Sequence, residues 1–127
     1  MYTFKKEERL CNKKLIDELF HNGSSFLCYP FKASWMLADV AQPFQAQIIF
    51  SVSKKRFKRA VDRNRIKRIN REVYRLNKQL YLYDQLAAAN KKIIVSLAYI
   101  GKELPEYHFA EKKMLKLLKQ LCTEAGL

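Results

Sequence analysis

At 127 residues, with 49% hydrophobic and 13% aromatic side chains, the chain has the size and apolar content of one folded domain, 1–127, rather than of a disordered tail. Its formal charge, 25 − 12 = +13, points to a polyanionic partner and argues against enzymes built on acidic metal sites or paired carboxylates. No apolar run approaches the roughly 20 residues that span a bilayer, which argues against a membrane protein.

The first predicted helix opens at Asn12 as its cap. Leu15, Ile16, Leu19 and Phe20 form its apolar stripe, and Gly23 marks its stop. After Ser24 and Ser25, a strand is predicted over 31–37, with Phe31, Ala33, Trp35 and Leu37 on one face and Lys32 and Ser34 on the other. Residues 38–46, with Asp39 and Pro43, read as a connection. A second strand over 47–53 puts Ile48, Phe50 and Val52 on one face.

Residues 53–78 carry most of the charge: twelve Lys and Arg against Asp62 and Glu72, or 12 − 2 = +10. From about Asp62 the period becomes helical. Ile66, Ile69, Val73 and Leu76 fall within one sector of roughly 80°, with Asn64, Lys67, Arg68, Arg71 and Arg75 opposite. Asp62 is a candidate cap, and a start near Lys58 is the alternative. Residues 77–90 are helical in composition without a clean stripe, and read either as an extension or as a separate short helix. An apolar, β-branched run over 92–99 predicts a buried strand. A turn at Gly101, Lys102 and Pro105 follows. The last helix, about 106–123, has Ala110, Met114, Leu117, Leu118 and Leu121 as its stripe. The class is α+β, a two-layer α/β sandwich of order α-β-β-(β)-α-β-α.

Cations clustered on a loop and its adjoining helix suit a phosphate backbone, and arginine adds bidentate contacts that lysine cannot make. His21 and His108 lie far apart without a nucleophile or ligand pattern, and no DxD-type cluster occurs, so neither a catalytic nor a metal site is expected in the chain. The N-terminal MYTFKKEERL lacks an apolar stretch before a cleavage site, and Cys11, Cys28 and Cys122 form no CxxC pair. Both features predict a cytoplasmic protein with reduced thiols.

An ordered string of motifs runs through the basic segment: SerValSerLysLys at 51–55, AlaVal at 60–61, ArgAsnArg at 63–65, IleLysArg at 66–68, ArgGlu at 71–72, then Tyr74 and Arg75. It resembles the signature of the bacterial ribonuclease P protein subunit. ArgLeu at 9–10 and Leu19-Phe20 before Gly23 are similar to that family's N-terminus. The chain departs from the pattern where ArgPheLysArg at 56–59 replaces a common glycine, at Ile16 in place of a Phe, and at Trp35 in place of a Tyr.

The resemblance implies a protein cofactor for a catalytic RNA that removes the 5′ leader of precursor tRNA. The expected partners are that RNA subunit and the precursor, with one monomer per RNA and no membrane. Endonuclease activity would reside in the holoenzyme, with Mg2+ and the attacking water held by the RNA. A left-handed β-α-β crossover around the basic helix is implied, against the general right-handed rule. The implied RNA contacts are Lys54, Lys55, Arg56, Arg59, Arg63, Asn64, Arg65, Lys67, Arg68, Arg71 and Arg75. Arg65, near the apolar boundary, has bracing of the loop or first helix as its alternative. Ile16, Phe20 and Trp35 map to a shallow cleft for the leader between the first helix and the sheet, accompanied by Lys32 and Ser34. Trp35 and Lys32 have opposite parity and cannot share one face of a regular strand, and Phe20 and Trp35 also fit a core role. The competing function is a general structured-RNA or ribosome-binding module without a part in cleavage. A helix-turn-helix DNA regulator lacks its second helix a short turn upstream. A membrane-surface helix lacks the bulky apolar partner face such helices present.

Overall fold

Asn12 caps the first helix as its sequence predicts. Its Oδ1 accepts the amides of Lys14 at 2.9 Å and Leu15 at 3.3 Å, opening α1, Lys13–Asn22. Residues 3–38 and 44–127 are described by the structure, a computed structural model; the predicted connection through Asp39 and Pro43 lies outside them. Gly23 ends α1 in extended backbone, and its role is steric. A Cβ there would stand 2.4 Å from the Leu19 carbonyl oxygen and 2.8 Å from Leu19 Cδ1.

The optional third strand of the predicted order is β1, Ser24–Cys28, directly after α1. It forms an antiparallel hairpin with β2, Phe31–Leu37, around a cis Tyr29-Pro30 peptide. β3, Ala46–Val52, starts one residue earlier than predicted. α2, Ala60–Lys78, leads through a π-helical turn, Gln79–Tyr83, into α3, Asp84–Ala89, so residues 77–90 are an extension of the basic helix. Asn90, in the left-handed region at φ 54°, ends α3. β4, Ile93–Tyr99, pairs antiparallel with β2 and parallel with β3, giving the sheet order β1-β2-β4-β3. α4, Tyr107–Glu124, closes the chain. β3, α2 and β4 thus form a β-α-β unit on neighbouring parallel strands.

One face of the sheet meets α2 and α4. There Phe31, Ala33, Ile48, Phe50, Val95 and Leu97 pack with Ile66, Val73, Tyr74, Met114 and Leu117 in the main core. The opposite face is covered in part by α1, through a small core of Leu10, Leu19 and Ile94 with Ile16, Met36 and Ile49 beside it.

Two expectations for α2 are corrected. Its cap position is Arg59, and Asp62 sits in the first turn, where its charge complements the helix dipole without capping. Its buried side is rotated from the predicted stripe: Leu76 is 36% exposed, while Asn70, Tyr74 and Lys78 are buried beside Ile66 and Val73. Apolar counting misses these three because each carries a polar atom, although only Lys78 Nζ finds a charged partner inside while Asn70 Oδ1 and Tyr74 OH are buried without a hydrogen bond among the described residues. Tyr74 stacks edge-on between Phe4 and Phe50, at 5.8 and 5.7 Å between ring centroids. Lys78 is held by Glu8.

That ion pair ties the N-terminal segment to the end of the basic helix. A 3-10 turn, Lys6–Glu8, places the Glu8 carboxylate inside, where it accepts from Lys78 Nζ, from Tyr83 OH at 2.7 Å and from the Lys5 amide at 2.7 Å. Lys78 Nζ also donates to the Thr3 carbonyl and lies over the rings of Phe4 and Tyr83, 5.5 and 5.1 Å from their centroids. Burial pushes the Glu8 pKa up, but the Lys78, Tyr83 and Lys5 hydrogen bonds and the Lys78 charge together hold it below the usual carboxylate value. Lys78, one of the twelve cations of 53–78, is therefore withdrawn from the surface. Residues 9–10 then run along β3, with the Leu10 amide on the Ile48 carbonyl at 2.9 Å.

Candidate nucleic-acid interface

The basic loop between β3 and α2 is rigidly built. Ser53 accepts the Lys55 amide on its Oγ at 3.1 Å and the Phe57 amide on its carbonyl at 3.1 Å. Phe57 points inward, 8% exposed, with its ring 6.0 Å from that of Tyr99. The ArgPheLysArg departure thus puts an anchor in the core, and leaves Lys54, Lys55, Arg56, Lys58 and Arg59 exposed around it. Arg56 Nη1 donates to the Ile100 carbonyl at 3.1 Å.

Bracing of this loop falls to Arg63 rather than Arg65. Arg63 Nη1 donates to the carbonyls of Phe57 and Lys58, both at 2.9 Å, stitching the first turn of α2 to the loop. Arg65 is exposed. Along the outward face of α2, Asn64, Arg68 and Arg71 are exposed, and Lys67 and Arg75 are half-buried. Arg75 donates to Glu72 through Nε at 3.1 Å and Nη2 at 2.5 Å, and this bond holds the Glu72 carboxyl below its usual value. Among the described residues Arg65, Lys67, Arg68 and Arg71 make no ion pair. From Asn64 to Arg75 this row runs about 16 Å at 1.5 Å per residue.

On the other face of the sheet, a groove of about 310 Å³ opens beside α1, lined by Leu19, Phe20, Lys32, Ser34, Ser51 and Ser96 among others. Phe20 is 63% exposed on its rim. Ile16 lies against the small core with Met36 and Ile49. Trp35 does not join them, which corrects its place in the predicted cleft. It packs against the main core with the odd positions of β2, on the α2 side of the sheet. Strand alternation forces this outcome: once Lys32 and Ser34 face the groove, Trp35 must face away. Ser34 is the β2 side chain at that level. Ser51 and Ser96 also line the groove; Ser51 lies on the second face of an alternating strand, and Ser96 is the lone polar residue in a run that reads as uniformly buried, the signal that marks it.

The family model for ribonuclease P matches residues 4–122. The chain is similar to the ribonuclease P protein component of Porphyromonas gingivalis, at 37% identity over 121 residues that cover 95% of this chain and 88% of the relative. It is also similar to that of Chlorobium phaeobacteroides, at 33% over 128 residues, covering 94% and 88%. Two solved structures share its fold. The RNase P protein of Staphylococcus aureus superposes with a TM-score of 0.68 at 23% identity, over 90% of this chain and 94% of that one. The protein from Thermotoga maritima does so with a TM-score of 0.70 at 23% identity, over 89% and 96%.

Proposed function

This chain belongs to the ribonuclease P protein family, whose role is tRNA 5′ processing within an endoribonuclease, and on that premise we propose that it grips the catalytic RNA with 53–75 and the precursor's 5′ leader in the Phe20 groove. The observation that carries the first part is the row of exposed cations on α2, held on a helix stitched to its loop by Arg63 and Phe57. Exposed cations on an ordered backbone exchange counterions for phosphates. Lys54, Lys55, Arg56 and Arg59 extend the row onto the loop, and Asn64, Arg65, Lys67, Arg68, Arg71 and Arg75 form it on the helix. Arg63 orders the two.

In the groove, Phe20 offers a base-stacking face, Lys32 a phosphate contact, and Ser34, Ser51 and Ser96 hydroxyls for sugar or phosphate oxygens. None of these contacts reads a particular base, which suits a leader that varies between substrates. Mg2+ and the attacking water belong to the RNA on this reading, and one copy of the chain serves one RNA in the cytoplasm.

The test is cleavage of precursor tRNA at low magnesium, with and without the cognate RNA subunit. The expected result is stimulation by the protein only when that RNA is present. Cutting by the protein alone, or equal affinity for unrelated structured RNAs with no change in cleavage rate, overturns the proposal. Phe20→Ala weakens binding of precursor relative to mature tRNA by about 1–3 kcal/mol, read by fluorescence titration of both RNAs. Equal losses for the two would make Phe20 a structural residue only.

A further inference from the structure

A second groove, of about 520 Å³, opens where the Tyr29-Pro30 turn, the loop after β4 and the first turn of α4 meet. Tyr29 is 57% exposed and Phe109 and Leu104 are each 40% exposed along it, large apolar side chains that packing alone gives no reason to leave in water. Its floor is Tyr99, whose hydroxyl donates to the Glu103 carbonyl at 2.7 Å. Gly101 makes that close fold-back possible, because a Cβ there would stand 2.5 Å from the Tyr99 hydroxyl.

The groove and the basic loop share one rigid frame. Phe57 packs on the Tyr99 ring from the loop side, and Arg56 donates to the carbonyl of Ile100, the residue after β4. Arg56, exposed on the loop, is thus fixed beside the residue that leads into the groove. Lys102 lines the groove itself, and Lys113 Nζ lies 5.6 Å from the Phe109 ring centroid. Flat aromatic faces combined with cations are the equipment of single-strand binding. Glu103 and Glu106 also line the groove. Their carboxylates repel phosphate from the interior and accept hydrogen bonds from an amine, as acidic side chains do from cytosine N4.

We infer that this groove docks unpaired RNA bases bearing an exocyclic amine: Tyr29 and Phe109 take the base faces, Glu103 and Glu106 the amine, and Lys102, Lys113 and Arg56 the flanking phosphates. The inference rests on the RNA-binding reading above. It adds a contact on the loop side, separate from the Phe20 groove. An apolar peptide gains nothing from the neighbouring cations, and uracil turns the acceptor O4 toward the carboxylates where adenine and cytosine turn an amine, leaving N3–H as its one base-edge donor.

The experiment titrates the 15N-labelled full-length chain with hexa-adenylate, hexa-cytidylate and hexa-uridylate. The expected result is shifts at the Gly101, Lys102, Glu103 and Leu104 amides with the first two, and binding weaker by about tenfold or more with the third. The double variant Tyr29→Ala with Phe109→Ala should weaken these shifts by about tenfold or more, with the rest of the spectrum unchanged because both side chains are largely exposed. Phe20→Ala should leave them intact. Shifts confined to Lys32, Ser34 and Ser51, equal shifts of the 101–104 amides with hexa-uridylate, or movement of those amides with protein concentration alone each overturn the inference. Cleavage stimulation is measured separately on the same preparation. Stimulation with silent groove amides sinks this inference and spares the proposed function; shifted amides without stimulation do the reverse.

Discussion

Glu8→Ala destabilises the protein by about 3–5 kcal/mol, the cost of stranding a buried ammonium without its partner. Lys78 and Glu8 are 2% and 1% exposed, and Lys78 has the Thr3 carbonyl as its only other hydrogen-bond acceptor among the described residues. Against a total stability of about 5–15 kcal/mol for a domain, that loss is severe, and urea denaturation at pH 7 reads it directly. Exchanging both partners for apolar residues of similar size, Glu8→Leu with Lys78→Met, recovers most of it, because no lone charge remains buried. A loss under about 1 kcal/mol in Glu8→Ala would mean that water reaches the pair. The same residue sets an acid limit. Its folded pKa lies below its ordinary value of 4.5, so its contribution is fully present above about pH 4.5 and disappears as pH falls through the folded value. Glu8→Ala should flatten that part of the stability–pH curve, and an unchanged curve would assign the acid sensitivity elsewhere.

Arg68→Ala with Arg71→Ala produces the largest effect on RNA binding with little effect on folding. Both side chains are exposed and unpaired among the described residues, so each removal changes stability by no more than about 0.5 kcal/mol. Each lost phosphate contact lowers the slope of log affinity against log salt by about 0.7–0.9, so the double variant loses about 1.4–1.8. Binding to the catalytic RNA from low to moderate salt measures this. Unchanged slopes would remove the α2 face from the interface. Arg63→Ala is the informative contrast: it releases the Phe57 and Lys58 carbonyls and loosens the loop, so stability and affinity fall together.

Periodicity located β2, β3, α2 and α4 to within about two residues, a continuous apolar run located β4, which is buried on both faces, and the capping chemistry of Asn12 located α1. β1 lacked such a signal. It is an edge strand with Ser24, Ser25 and Leu27 exposed, so no alternation marks it. The phase of α2 was misread because half of its inner side ends in polar atoms. An asparagine, a tyrosine and a lysine look like surface, and sequence shows neither the burial of Asn70 nor the distant Glu8 that meets Lys78 and the Phe4 and Phe50 rings that meet Tyr74. Trp35 was misplaced for a different reason. Its parity was legible, but α1 covers part of one face and α2 with α4 the other, so alternation alone could not say which side faces the groove. The bracing role considered for Arg65 falls to Arg63, because the hydrogen bonds of Arg63 depend on where the loop carbonyls turn.

The two faces of the sheet carry different work. The cationic row rides on α2 above one side, and the groove with Phe20 and Lys32 lies against the other. A packed layer and a helix diameter, together about 20 Å, stand between them. On the function proposed above, an occupant of one side would neither block nor reach the other, so ribozyme and substrate would be held non-competitively. Their spacing is that of a caliper whose jaw is four hydrogen-bonded strands.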